Sequence, residues 1–186
     1  MNSNLHTSFD IPRGALKFRE LILHVSLKSV RDIYFGAVKL NKILYYSDFR
    51  SFERIGFPIT GVKYFKLQQG PAPRALIPTR RELIEEGALL LEKRDLGNGF
   101  IQDRTIALRS PALSLFTPDE LSVVDEVIDD LRGQTAEQIS DASHDVRWRA
   151  VSLKDDIPYE FVYLSDAKLS ESDKGRTSKL VREFGW

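Results

Sequence analysis

The stretch Lys39-Leu40-Asn41-Lys42-Ile43-Leu44-Tyr45-Tyr46-Ser47-Asp48-Phe49-Arg50-Ser51-Phe52 decides how this chain folds. With the run beginning at Ala37, it sets Leu40, Ile43, Leu44, Tyr45, Tyr46, Phe49 and Phe52 around most of the circumference of a helix. A surface helix carries one apolar stripe, whereas a helix that is apolar on several sides must be packed on several sides. The pattern predicts a central helix, stopped by Gly56 and Pro58, with the other elements arranged around it.

Upstream, Asp10, Pro12 and Arg13 open a helical pattern in which Phe18, Leu21, Ile22 and Val25 form one buried stripe, running to about Ser29. Downstream, Ile59 to Leu67 reads as a strand, with Phe65 and Leu67 on one face and Tyr64 and Lys66 on the other. Gly70, Pro71 and Pro73 impose a rigid turn, since each proline fixes its own φ and drives the preceding residue out of the helical region. Pro73 is read as the start of a helix that Pro78 interrupts. Thr79 and Glu82 then supply a capping box for a second short turn ending at Gly87.

Ala88 to Arg94 and Ile101 to Leu108, joined through Gly97, Asn98 and Gly99, are read as an edge hairpin whose charges Lys93, Arg94, Asp103 and Arg104 line a wet face. Thr117, Pro118 and Glu120 mark the start of a helix with Leu121, Val124, Ile128 and Leu131 buried, ended by Gly133. Thr135 and Gln138 repeat the capping spacing for a helix through about His144. Pro158, Tyr159 and Phe161 suggest a packed turn, and Lys179 to Trp186 a last amphipathic turn. The expected fold class is α+β and mostly helical, a helical bundle around a central helix with a small antiparallel hairpin or sheet.

A length of 186 residues suits one domain, against a prior of roughly 100 to 200 residues each. The expectation is a single domain over 1–186. Hydrophobic residues at 42% and charged residues at 29% exclude a disordered or fibrous chain. Cysteine is absent, which excludes disulfides, thiolate metal sites and a cysteine nucleophile. The most apolar stretch, Leu21 to Leu27, is broken by His24 and Ser26 and falls short of the roughly 18 residues of a membrane span. Asp10, Arg13, Lys17 and Arg19 stand where a secretion signal would place its hydrophobic core, so the chain is read as cytoplasmic. His6, His24 and His144 have no metal-ligand spacing, and neither metal nor cofactor is expected.

Zero net charge hides an asymmetry. Residues 1–81 hold 14 bases against 5 acids, and the rest hold 13 against 22. Phe57 to Arg81 contains Lys63, Lys66, Arg74, Arg80 and Arg81 with no acid, while Thr117 to Leu131 contains six acids with no base. Such faces are either solvated and paired across the fold or serve as complementary binding surfaces.

Ser143, His144 and Asp145 have the residue types of a nucleophile, a base and an orienting acid. Consecutive residues point in different directions, however, and a triad needs convergence. His144 is expected instead to be a buried, hydrogen-bonded histidine holding its helix end to the core, covered by Trp148. Gly97-Asn98-Gly99 lacks the Gly-Lys-Ser/Thr of a phosphate loop. Tyr34, Phe35, Tyr45, Tyr46, Tyr64 and Phe65 beside basic residues fit either the core or a nucleic-acid stacking surface.

Three segments, in order, resemble one family. Lys39 to Asp48 looks like the signature helix of the Panacea domain of SocA-like antitoxins. Lys66-Leu67-Gln68-Gln69-Gly70-Pro71-Ala72-Pro73 is similar to that family's Gly-Pro step. Thr117 to Leu121, followed by Ile139 to His144 and Trp148, resembles its late helix and Ser-His segment. The likeness covers about Val30 to Val151, which leaves 152–186 as a C-terminal extension, and it makes Leu40, Leu44, Tyr45, Ser143, His144 and Trp148 the structural motif.

The resemblance implies a non-enzymatic antitoxin, common in prophages, that neutralises a cognate toxin by direct contact and in some members delivers it to a protease. Two surfaces are candidates for that contact. One is the rigid step with its basic surroundings: Lys66, Gln69, Gly70, Pro71, Pro73 and Arg74. The other is the acidic helix, where Asp125, Asp129 and Asp130 would mimic phosphates in the basic cleft of a toxin. A nucleic-acid-binding regulator, and then an enzyme acting on nucleotides or phosphoesters, are the competing readings.

Overall fold

The computed structural model describes residues 5–97, 99 and 101–165, so the turn expected at Lys179 to Trp186 lies outside the described residues. Helix α1 (Gly14–Lys28) packs its Phe18, Leu21, Ile22 and Val25 stripe against α2 (Ala37–Ile55), the expected central helix. Leu40, Ile43, Leu44, Tyr45 and Phe49 of α2 are at most 1% exposed. They are covered by α1, by α4 (Pro118–Leu131), by α5 (Ala136–Ala142) and by a 3-10 turn, Tyr159–Tyr163. Gly56 ends α2 in the left-handed region at φ 84°, where a side chain would be strained.

Two antiparallel hairpins flank this helical core. Strands β1 (Tyr64–Leu67) and β2 (Gly70–Pro73) pair Tyr64 with Pro73 and Leu67 with Gly70. The strand is shorter than Ile59 to Leu67, and Pro73 belongs to β2 instead of starting a helix. Prolines fit there because the bond from Arg74 N to Lys63 O, 2.9 Å, sets the alternation: the missing N–H groups of Pro71 and Pro73 would point away from β1. Along the other edge of β1, Lys66 N donates to Asp155 O at 3.0 Å and Ile157 N to Tyr64 O at 2.8 Å.

Helix α3 (Leu76–Glu85) is continuous through Pro78, and no capping box forms at Thr79. Pro78 lies in the first turn, where a backbone N–H has no intrahelical partner to lose. The second hairpin, β3 (Leu89–Asp95) with β4 (Ile101–Ala107), forms from the two expected runs, but Arg104 is not on a wet face. It is buried, and its guanidinium donates to the carbonyls of Ser29, Val30 and Asp32, capping the C-terminal end of α1. Thr117 and Thr135 make the two expected capping boxes, and a short α6 (Val146–Arg149) follows α5.

Asp48 of α2 is fully enclosed. Thr60 donates to it through both its backbone N and its hydroxyl, and Tyr64 donates through its hydroxyl at 2.8 Å. The Tyr159 hydroxyl reaches the same carboxylate at 3.5 Å and donates to Val62 O at 2.7 Å. One carboxylate thus ties the central helix to the segment before β1 and to the 3-10 turn. Burial is the main influence on this group and pushes its pKa up to about 6 from 3.8, against the donors that stabilise its charge.

Between about pH 4 and pH 6 the folded chain therefore holds a proton on Asp48 that the unfolded chain has released, so this group's contribution to stability falls as pH rises. The stability advantage of wild type over Asp48→Asn should shrink by about 2–3 kcal/mol across that window. Urea unfolding of both proteins at pH 4, 5 and 6 measures it; a constant difference would show that burial does not raise the Asp48 pKa.

Candidate functional site

Lys42 sits in the middle of α2 and is 1% exposed. A buried ammonium must find acceptors, and this one finds carbonyls: Lys42 Nζ donates to Gln69 O and, at 3.0 Å, to Pro71 O. Among the described residues no carboxylate reaches it, and burial lowers its pKa to about 7 from 10.5. Lys39, one turn earlier, is equally buried but pairs with Asp32 at 2.7 Å.

The same β1–β2 turn is also gripped by the segment that follows α5. His144 Nε2 lies 3.0 Å from Gln68 O, a contact in which the ring nitrogen must be the donor. Trp148 Nε1 donates to Leu67 O at 2.9 Å. The two rings stack with centroids 4.1 Å apart, and Lys66 Nζ sits 3.9 Å above the Trp148 ring while donating to Val151 O at 2.8 Å. Leu67, Gln68, Gln69 and Pro71 thus each give a carbonyl to a side chain from elsewhere in the fold, while the side chains of Gln68 and Gln69 stay exposed.

Gly70 makes this possible. It adopts φ +89°, and a Cβ there would collide with Ser143 Oγ and Lys42 Nζ. Ser143 is buried beneath it and donates to Ser140 O at 2.7 Å. The expected roles of Ser143, His144 and Trp148 are therefore corrected in one respect. His144 is half-buried, stacks on Trp148 and secures the turn, not its own helix end. Asp145 does not face His144; it caps α6 by accepting from Arg147 N at 3.0 Å and Trp148 N at 3.2 Å, and it binds Arg147 Nε.

Leu40, Leu44 and Tyr45 are core residues, with Leu44 O accepting from the Tyr64 hydroxyl at 2.9 Å. Pro73 lies opposite Tyr64, and Arg74 stacks 4.4 Å over Phe65 while its guanidinium binds Asp156 and Lys154 O. Lys66, Gln69, Gly70, Pro71, Pro73 and Arg74 are thus brought together. The acids of α4 belong elsewhere. Asp125 contacts His24 at 3.1 Å and Lys28 at 3.0 Å, Asp130 pairs with Arg50 at 2.8 Å, and Asp129 pairs with Arg132 at 2.5 Å. None of these partners belongs to the turn. Lys42 was missed by sequence reasoning, although a lysine flanked by the apolar positions of a helix packed on several sides is itself a signal, because once buried it needs acceptors.

Among the described residues no group of three or more histidines and carboxylates is placed to hold a metal, and no helix is long and apolar enough to cross a membrane. The turn and its three clamping side chains span the motifs from Lys42 to Trp148, and the family model described as antitoxin SocA-like, Panacea domain, matches residues 40–149. The chain belongs to the SocA-like Panacea family. No curated protein and no solved structure matches it. The matched region of this Panacea chain runs from α2 to α6 and contains every carbonyl and donor of the clamped turn.

Gly70→Ala should lower stability by about 3 kcal/mol, since it adds both left-handed strain and overpacking against Ser143 and Lys42. Chemical unfolding checks it. A loss below about 1 kcal/mol would mean that the turn yields easily and is not held as described.

Proposed function

We propose that this chain is the antitoxin of a toxin–antitoxin pair and neutralises its cognate toxin by direct contact through the β1–β2 turn and its basic surroundings. The clamped turn carries this reading. An exposed loop whose carbonyls are all held from below loses little conformational entropy on binding, so its exposed Gln68 and Gln69 side chains offer a preorganised contact. Family membership supports an antitoxin role in general, and the clamp accounts for why the Gly-Pro step and the Ser-His segment occur together in one chain.

The turn is preferred over α4 because Asp125, Asp129 and Asp130 already pair with bases of this chain, which reduces the negative charge left to mimic a phosphate. The complex would form in the cytoplasm. Delivery of the bound toxin to a protease, as SocA-like members can perform, would use the same grip.

Co-expression with the protein encoded beside this chain tests the proposal. That neighbour should arrest growth alone, and this chain should restore growth. The double variant Gln68→Glu, Gln69→Glu should weaken the purified complex at least about tenfold, or 1.4 kcal/mol, with an unchanged melting temperature. Undiminished binding by the double variant would remove the turn from the interface. A neighbour that is harmless, or toxic regardless of this chain, would overturn the antitoxin reading itself.

A further inference from the structure

Beside the turn, between β1–β2 and α3, lies a cleft of about 190 Å³ lined by Asn41, Phe65, Leu67, Arg74, Ile77 and Arg80 among others. This volume is below the roughly 300–1,000 Å³ of small-molecule pockets and suits one inserted side chain. Among the described residues, two arginines and no acid line it. Arg74 is engaged by Asp156, whereas no carboxylate among the described residues pairs with Arg80. Ile77 is 64% exposed on the rim, although it stands beside the half-buried Phe65 and Leu67.

The cleft also holds an unanswered polar group. Asn41 Oδ1 is buried and has no hydrogen-bond partner among the described residues. A carboxamide carries a donor and an acceptor in one plane, the same pair that a peptide group presents, so an extended backbone is the complement that satisfies it. Leaving such an acceptor unpaired is unfavourable, which means that a partner supplying an N–H gains from filling the site.

We infer that this cleft is the docking groove for an extended, acidic segment of a partner protein. A bulky apolar side chain of that segment packs against Phe65, Leu67 and Ile77, its backbone amide bonds the Asn41 carboxamide, and a neighbouring carboxylate pairs with Arg80. The proposal builds on the antitoxin reading in one respect only: the partner carrying the segment is then the toxin. Nucleic acid suits the groove less well, because the Arg74 guanidinium already covers one face of the Phe65 ring and is itself paired with Asp156, which leaves less aromatic surface and less free charge for a base and its phosphate.

Selection of a random peptide library displayed on phage against the purified full chain tests the groove without requiring the toxin. Enriched peptides should share a large apolar residue flanked by Asp or Glu. Their affinity should fall at least tenfold with Arg80→Glu and with Ile77→Asp, two solvent-facing changes that leave the melting temperature unchanged. Charge exchange gives a second check, since a peptide whose acid is replaced by arginine should bind Arg80→Glu better than wild type. The inference is overturned if selection yields no consensus or a basic one, or if binding ignores both substitutions. It is also overturned if a random-sequence DNA or RNA duplex displaces the peptides with a steep salt dependence. Loss of growth rescue in co-expression would instead count against the antitoxin role, so the two failures can be told apart.

Discussion

A buried ammonium with no carboxylate beside it among the described residues governs the architecture around the site. Lys42 lies on the buried side of the central helix, where its charge would be prohibitively unfavourable without acceptors, and the acceptors it finds are the backbone carbonyls of Gln69 and Pro71. Those carbonyls converge on one nitrogen because the chain reverses at Gly70 in a conformation that glycine tolerates. Pro71 and Pro73 follow as strand residues since their missing N–H groups fall on the side where no β partner lies. Ser143 is small for the same reason, being the floor on which Gly70 rests. The ammonium acts here as a hub of donors rather than half of an ion pair and fixes the turn to the helix, while His144 ties the Ser-His segment to the same turn.

Asp48 does the corresponding work toward the other end of the helix. Its carboxylate gathers Thr60, Tyr64 and Tyr159, so the same helix that presents the turn is also anchored to the segment before β1, to β1 itself and to the 3-10 turn. The two ionisable groups lie on the buried part of this helix and contact segments distant in sequence. Buried polar networks of this kind specify one arrangement when every member is satisfied. The consequence is a stiff platform from which Gln68, Gln69 and the neighbouring basic side chains project.

Elements with local signals were legible in the sequence. Thr117 with Glu120 and Thr135 with Gln138 announce helix starts through contacts three residues apart, and Gly56 and Gly133 announce helix ends. The apolar surround of α2 correctly marked it as central. What was missed depends on contacts between distant segments. Proline argues against a strand unless one knows on which side its N–H would point, and only the pairing with β1 reveals that. Pro78 reads as a helix break unless its place in the first turn is known. Arg104 looked solvated because alternation in a hairpin does not show that one face meets the end of α1. The motif residues were located, but the donors and acceptors they exchange carry no periodicity, so the clamp itself was invisible.

The small sheet containing the turn has a bearing on how any partner can be recognised. Lys154 to Ile157 occupies one flank of β1, and on the far flank of β2 the two prolines have no N–H to offer while Lys42 takes the Pro71 carbonyl. Neither flank of the β1–β2 pair is therefore free to take on an incoming strand, which guards this hairpin against sheet growth. It also dictates the language of recognition here: a visitor cannot zip onto the main chain by strand addition and must be told from others by the shapes and charges of protruding groups.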